Sequence, residues 1–256
     1  MKIKVLGCSG GIGGQDVHTT SFLVDDDILI DAGTGVAELS IEALAKIDHV
    51  FVTHTHLDHI ACLPLLIDAV ADVRTTPLRV HAIGPVIDLL RKHVFNWSIW
   101  PDFSEIPSAD ASVLEFVEIQ VDVAVDMGQG RRITPWPVNH TVPAVAYAVE
   151  SSEGAWVFSG DTASCPPLWE RINRIDDLRY LIVECAFPNR QADLAKAAKH
   201  LCPSTLAAEL SLLQRPVELF ITHLKPGMIE ITMDEVAQAI GGFQPRMLEN
   251  NWIFEL

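Results

Sequence analysis

The stretch Phe51-Val52-Thr53-His54-Thr55-His56-Leu57-Asp58-His59 is the most informative part of the chain. It begins inside a short apolar run, Ile47 to Val52, whose branched and aromatic side chains are typical of a buried strand. Four possible metal ligands follow the run within six residues. If the chain stays extended after the strand, His54 and His56 project to the same side of it.

The spacing of these ligands favours two adjacent metal ions. Asp58 and His59 stand where the loop turns into a predicted helix, Ile60 to Val70. His54 and His56 would bind one ion, and the carboxylate and imidazole at the helix start would bind the other. This donor set favours Zn²⁺, with Mn²⁺ or iron as alternatives. The alternative is that these four are polar loop residues with no metal-binding role, but burying them without partners would cost free energy of folding.

The six residues from His54 to His59 resemble the HxHxDH motif of the metallo-β-lactamase fold superfamily. The resemblance implies a mixed α/β fold in which two β-sheets pack face to face with helices outside, a four-layer αββα sandwich. The length of 256 residues fits one large domain, residues 1–256. Many hydrolases share this motif, so it indicates the site better than the substrate.

Composition and charge limit the class of protein. Almost half of the residues, 49%, are hydrophobic, and no apolar run reaches membrane-spanning length. The start of the chain, Met1 to Gly7, is interpreted as a strand and not as a signal peptide. The five cysteines are scattered without a CxxC pair, so we expect reduced thiols in a cytoplasmic protein.

The net charge of −16 disfavours large nucleic acids as partners. A small anionic substrate can still bind, because two divalent ions would dominate the local field.

Further acidic groups and histidines stand at the ends of predicted strands. Strands that alternate with helices and end in polar groups place those groups on one rim of a sheet. His140, which could otherwise be a turn histidine, is therefore expected to join the first motif. The strand-end positions are Asp31, the Thr53–His59 stretch, His140, Asp161 and His223.

The resemblance implies a role for each of these residues. Asp31 supports the metal-binding histidines, although it could also cap a predicted helix, Val36 to Lys46. Asp161 bridges the two ions. The ligands of one ion are His54, His56 and His140, and those of the other are Asp58, His59 and His223.

A glutamate and a histidine farther along the chain resemble the pair of the phosphodiesterase branch of the superfamily. Glu184 would orient His200, and His200 would protonate the leaving alkoxide. We group both with Asp58 as catalytic residues. A helix-start histidine on the surface is the alternative for His200.

Three stretches resemble class II cyclic-nucleotide phosphodiesterases: Thr53 to Pro64, the Trp-Pro-Asp-Phe loop at 100–103, and Ile221 to Pro226. Thr55 stands where that family often has Ser. The implied reaction opens a 3′,5′-cyclic nucleotide, cAMP or cGMP, to the 5′-monophosphate.

Two loops carry weaker predictions. The aromatic loop 95–107 could stack Trp97 and Trp100 on a nucleobase, pack on its own core, or form a homodimer contact. The glycine-rich loop Gly7 to Gly14 could touch phosphate or simply line a pocket. His18, which follows it, is a candidate for contact with substrate.

Four other functions share parts of this pattern. A tRNA 3′-processing endonuclease would need a basic or glycine-rich arm, which the sequence lacks. A thioester or lactone hydrolase would not need Glu184 and His200. Non-hydrolytic di-iron relatives commonly have a carboxylate at the place of His56. A binding protein with a vestigial site would have lost ligands, and none is missing.

Overall fold

The computed structural model describes all 256 residues, which form fourteen strands and eight helices. The strands are β1 (Lys2–Gly7), β2 (Ser21–Val24), β3 (Ile28–Ile30), β4 (His49–Phe51), β5 (Leu78–Ala82), β6 (Leu114–Glu118), β7 (Val125–Asp126), β8 (Arg132–Pro137), β9 (Val145–Ser151), β10 (Gly154–Phe158), β11 (Leu178–Glu184), β12 (Glu218–Thr222), β13 (Arg246–Met247) and β14 (Ile253–Glu255). The helices are α1 (Ile41–Leu44), α2 (Leu57–Ile60), α3 (Leu63–Val70), α4 (Gly84–His93), α5 (Pro166–Ile172), α6 (Ala192–Ala198), α7 (Pro203–Leu210) and α8 (Ile229–Ile240). None of the helices combines the length and the apolar character that crossing a bilayer requires.

The strands form two seven-stranded mixed sheets. The first has the order β14-β1-β2-β3-β4-β5-β6, and the second has the order β13-β12-β11-β10-β9-β8-β7. Strands β3 to β6 are parallel, and so are β10 to β13. Because β8 and β10 both run antiparallel to β9, β8 points the same way as β10.

Alternating side chains show that the sheets pack face to face. Ile28 and Ile30 of β3 lie in an apolar cluster with Phe158 of the other sheet, while Leu29 between them packs in a different cluster with α3 and α4. A third cluster joins the outer face of the second sheet to α5, α7 and α8. Since successive strand residues point to opposite faces, the layers are helix, sheet, sheet and helix. The predicted αββα sandwich is confirmed.

Two predicted helices are interrupted. The helix predicted over Val36–Lys46 is a 3₁₀ turn, Thr34–Glu38, followed by an extended Leu39 and then α1. Ser40 causes the restart, because its side chain accepts a hydrogen bond from the Ala43 amide and caps α1. The helix predicted over Ile60–Val70 is divided between α2 and α3, and Pro64 stands in the first turn of the second.

Several strands end at the same edge of the sandwich, which we call the rim. The residues that follow β3, β4, β8, β10, β11 and β12 all lie there. The two sheets are joined near the rim, since the Val145 amide donates to the Thr53 carbonyl over 3.1 Å. Tyr147 adds a second link, because its hydroxyl donates to the Val52 carbonyl over 2.9 Å.

Candidate metal centre

The first group of possible ligands combines the end of β4 with the turn after β8. The rings of His54 and His56 lie 4.7 Å apart between their centres, as expected if both project to one side of the chain. His140 Nε2 lies 3.1 Å from His56 Nδ1. One atom from each of these three histidines and one oxygen of Asp161 all lie within 4.8 Å of one another.

The second group combines the start of α2 with the end of β12. Possible ligand atoms of Asp58, His59 and His223 lie within 4.8 Å of one another. His223 Nε2 is 3.7 Å from Asp58 Oδ2. The carboxylate of this group is the more exposed member, whereas both imidazoles are buried.

Asp161 lies between the two groups, and each of its oxygens faces one of them. Oδ2 is 3.5 Å from His54 Nε2 and 3.9 Å from His140 Nε2. Oδ1 is 3.4 Å from His59 Nε2 and 3.3 Å from His223 Nδ1. Gly160 permits this turn after β10, since its φ is +59° and a Cβ there would lie 2.7 Å from the Val145 carbonyl oxygen.

The centre contains an unusual concentration of unpaired polar atoms. Six buried atoms without a hydrogen-bond partner belong to it: Nε2 of His54, Nε2 of His59, both carboxylate oxygens of Asp161, and both ring nitrogens of His223. Buried polar atoms are normally paired in a folded protein. Divalent cations would satisfy both Asp161 oxygens and one nitrogen of each histidine, and a set of imidazole nitrogens and carboxylate oxygens fits Zn²⁺, Mn²⁺ or iron.

The match to a family model agrees with this geometry. The model of the beta-lactamase superfamily domain matches residues 26–248. The chain belongs to the beta-lactamase superfamily.

The similar proteins include some that are named cyclic-nucleotide phosphodiesterase and others that are named ribonuclease Z. A probable 3′,5′-cyclic-nucleotide phosphodiesterase of Yersinia pestis is 25% identical over 276 residues, covering 88% of this chain and 78% of that protein. A ribonuclease Z of Treponema pallidum (strain Nichols) is 28% identical over 186 residues, covering 66% of this chain but only 55% of that protein. The crystal structure of unliganded yeast PDE1 superposes with a TM-score of 0.83 at 17% identity, covering 100% of this chain and 99% of that one. At this identity the likeness to yeast PDE1 shows the fold alone.

Asp31 and Thr53 orient two of the superfamily-motif histidines. Asp31 Oδ2 accepts a hydrogen bond from His59 Nδ1 over 2.6 Å, which leaves His59 Nε2 facing Asp161. The Thr53 hydroxyl donates to the same oxygen over 2.7 Å and lies 3.0 Å from His54 Nδ1. Asp31 therefore has the contacts expected of a supporting residue, and it caps no helix. No separate role was predicted for Thr53, although its place between the strand and the motif is visible in the sequence.

His140 is oriented by Lys199, for which no role was predicted from the sequence. The His140 ring donates from Nδ1 to the Lys199 carbonyl over 3.0 Å. In return, Lys199 Nζ donates to the His140 carbonyl over 2.8 Å. The contact directs His140 Nε2 toward Asp161, and no local signal in the sequence pairs two residues so far apart.

Glu184 and His200 form a hydrogen-bonded pair beside the centre. His200 Nδ1 donates to Glu184 Oε1 over 2.8 Å, and both side chains are buried. Glu184 also accepts from the amides of Thr162 and Ala186, which fixes the carboxylate. Burial alone would lower the pKa of His200, but the charge of Glu184 and the hydrogen bond to it raise that pKa above its usual value.

The charge states of the buried ligands suit a cation. Burial holds the pKa of His54 and of His223 well below the usual value, so both imidazoles are neutral, the form that binds metals. Burial alone would raise the pKa of Asp161, but nearby His223 and His59 keep it well below its usual range. Burial alone would lower the pKa of His59, but the charges of Asp161 and Asp31 raise it well above its usual value. The centre therefore presents neutral His54 and His223 rings beside an ionised carboxylate, and a His59 ring that must release a proton to bind a cation.

The three residues predicted to contact substrate lie outside the ligand cluster. His18 Nε2 is 3.6 Å from Glu38 Oε1, and the ring lines a cavity of about 640 Å³ that contains none of the metal-ligand candidates. In the aromatic loop 95–107, Phe95 and Phe103 belong to the core under α3 and α4. Trp100 packs against that core, and Trp97 is 61% exposed. Contact of His18, Trp97 or Trp100 with substrate stays a prediction.

Proposed function

We propose that this chain is a metal-dependent phosphodiesterase that opens 3′,5′-cyclic nucleotides to 5′-monophosphates. The observation that carries the proposal is the placement of Asp161 between two ligand groups, with the Glu184–His200 pair beside them. The name of the Yersinia pestis relative, which aligns with most of both chains, supports this substrate class.

Two divalent ions, most simply Zn²⁺, would be held by the two ligand groups. His54, His56 and His140 would bind one, and Asp58, His59 and His223 would bind the other, with Asp161 shared. Such ions lower the pKa of bound water toward neutrality and attract phosphoryl oxygens. Asp31 and Thr53 keep the imidazoles in the required orientation through the hydrogen bonds described above.

His200 would supply the proton that the leaving 3′ oxygen needs. Its Nδ1 is occupied by Glu184, so Nε2 is the nitrogen available to a substrate. One ring nitrogen of His200 lies within 4.8 Å of ligand atoms of Asp161 and His223, so the ring borders both groups. A general acid needs this fixed position next to the reacting phosphate.

A small substrate fits the charge of the chain better than a large RNA does. The net charge of −16 repels an extended polyanion, whereas one cyclic phosphate is balanced by two local cations. We propose a cytoplasmic enzyme, as the free cysteines would suit. A homodimer formed through the aromatic loop 95–107 stays part of the proposal.

Product analysis tests the substrate class directly. Purified protein with added Zn²⁺ would be incubated separately with cAMP, cGMP, bis(p-nitrophenyl) phosphate, a thioester and a precursor tRNA. We expect 5′-AMP or 5′-GMP, together with nitrophenol from the diester. The Asp161→Ala variant, purified in parallel, measures contaminating activity. Cleavage of the thioester alone, or of the precursor tRNA with intact cyclic nucleotides, would overturn the proposal.

A further inference from the structure

His223 holds a backbone conformation that few side chains adopt. Its φ is +62°, in the left-handed region, directly after β12 ends. This conformation costs free energy for any residue other than glycine, so neighbouring contacts must maintain it. Since the ring is a candidate ligand of the second group, those contacts determine where its nitrogens lie.

The glycine-rich loop supplies the contacts, and we call its residues Cys8–Gly10 the brace loop. The His223 amide donates to the Cys8 carbonyl over 2.8 Å, and the Gly10 amide donates to the Leu224 carbonyl over 3.1 Å. The Thr222 hydroxyl also donates to the Cys8 carbonyl over 2.9 Å. The brace loop is therefore hydrogen-bonded to His223 itself and to both of its neighbours in the chain.

Gly10 brings the brace loop into direct contact with His223. A Cβ at Gly10 would lie 2.4 Å from the His223 carbonyl oxygen and 2.9 Å from Cδ2 of its ring. Only a residue without a side chain allows this approach, so the glycine is required by the position of His223.

Lys225 links the brace loop to the segment that follows β11. Its ammonium donates to the Gly10 carbonyl over 2.5 Å, and its amide donates to the Ala186 carbonyl over 3.3 Å. The hydrogen bond from Lys225 to Gly10 therefore fixes the brace loop beside His223.

The first ligand group has a matching lysine. Lys199 Nζ donates to the carbonyl of His140, just as Lys225 Nζ donates to the loop that contacts His223. His140 is thus held by a lysine 59 positions away, and His223 is held by a nearby lysine that acts through the brace loop.

We propose that Lys225 and Lys199 are positioning residues, each setting the metal affinity of a different ligand group. Lys225 acts on the Asp58/His59/His223 group through Gly10, and Lys199 acts on the His54/His56/His140 group through the His140 backbone. This inference rests on the proposed binding of two ions. Partners of metal ligands typically change metal affinity by about 10- to 100-fold when they are replaced.

The test measures each group in isolation by titrating metal-free protein with Zn²⁺. In a His56→Ala background only the second group is complete, and there Lys225→Met should weaken Zn²⁺ binding by about 10- to 100-fold. In an Asp58→Ala background, where only the first group is complete, Lys225→Met should change the Zn²⁺ affinity by less than about threefold. Lys199→Met should weaken Zn²⁺ binding in the Asp58→Ala background and have little effect in the His56→Ala background. Lys196→Met is the control, since Lys196 is an exposed residue of α6.

Two further measurements keep the outcome decisive. Gly10→Ala should reproduce the effect of Lys225→Met, and thermal unfolding of the metal-free variants shows whether they fold. If either lysine variant lowered the Zn²⁺ affinity of both ligand groups equally, that lysine would have a general structural role and the inference would be overturned. So would unchanged Zn²⁺ affinity with a raised KM, which would make Lys225 a substrate contact. If the wild-type protein binds no Zn²⁺, the proposed function itself fails, which is a different result.

Discussion

The interior between the two sheets and the rim at their ends both contain fully buried side chains, but the two regions differ in how many of their polar atoms lack a partner. Trp156 in the interior is 0% exposed, and Asp161 at the rim is 1% exposed. The interior consists mainly of aliphatic and aromatic side chains. The Tyr147 hydroxyl among them has a carbonyl partner, whereas Trp156 Nε1 and His81 Nδ1 are single unpaired atoms. The rim leaves both Asp161 oxygens and ring nitrogens of three histidines without any partner.

The difference separates the source of stability from the source of function. Apolar burial between the sheets stabilises the fold by about 25 cal/mol per Å² removed from water. Unpaired buried polar groups destabilise it by about 1–3 kcal/mol each until something binds them. Changes in the interior should therefore lower the free energy of unfolding, whereas changes at the rim should remove metal ions and activity.

The largest effect is expected for Asp161→Ala. Because each carboxylate oxygen faces one ligand group, both ions should be lost and turnover of a cyclic nucleotide should fall by roughly 1,000-fold or more. Metal content by atomic emission and initial rates measure the two effects.

Trp156→Phe is the matched interior variant. The lost packing should lower the free energy of unfolding by about 1–3 kcal/mol, partly offset by removal of the unpaired indole N–H, and the metal content should be unchanged. Two ions retained by Asp161→Ala would contradict the shared role of the carboxylate.

His200→Ala should separate chemistry from metal binding within the rim. The variant should keep both ions but lose about 10²- to 10⁴-fold in kcat on a cyclic nucleotide, whose alkoxide leaving group needs a proton. The loss on bis(p-nitrophenyl) phosphate should be less than about tenfold, because nitrophenolate leaves without one. An equal loss of kcat on both substrates would contradict the role of His200 as general acid. Loss of a metal ion from the variant would instead indicate that His200 is a metal ligand.

The strand ends could be predicted from the sequence because their signals are local, whereas the four layers were predicted from the family resemblance. The strand predicted over Met1 to Gly7 is observed as β1, Lys2–Gly7. The ligand candidates come together because parallel strands end on one edge, so His140 and His223 could be assigned to one place from their positions alone.

The supporting contacts could not be predicted, since they join residues distant in sequence. Lys199 and His140 are 59 positions apart, and Lys225 and Gly10 are 215 apart. The break in the helix predicted over Val36–Lys46 was also missed, because Ser40 competed with helix propensity by capping α1. Hydrophobic periodicity describes the faces of elements, and it contains no information on which backbone atoms a lysine reaches.

Added metal should stabilise the rim by mass action. Zn²⁺ at 100 times its dissociation constant stabilises the folded state by about 2.7 kcal/mol for each independent site. For a chain of this size the melting temperature should rise by about 5–10 °C per site. Asp161→Ala should show little of this shift, and Trp156→Phe should show all of it from a lower starting temperature. A similar rise in both variants would mean that Zn²⁺ binds elsewhere.

The smallest effect concerns an imidazole that belongs to the interior and not to the rim. His81 of β5 is 4% exposed, stacks on Phe51 with 4.4 Å between ring centres, and lies 2.9 Å from His49 Nδ1 through its Nε2. Burial, with smaller contributions from the charges of His49 and Arg79, lowers the pKa of His81 to about 3. The unfolded chain has the ordinary histidine pKa of about 6.5, so it binds more protons than the folded chain between these two values.

Stability should therefore fall as the pH drops below about 6.5, and His81 should account for about 2 kcal/mol between pH 7 and pH 5. Urea unfolding of metal-free protein at both pH values measures this loss, with the histidines of the rim as a common background. His81→Gln can keep a hydrogen bond to His49 and cannot titrate, so its loss should be smaller than that of the wild-type chain by this amount. The same pH dependence in both proteins would mean that acid unfolds the molecule through the rim alone.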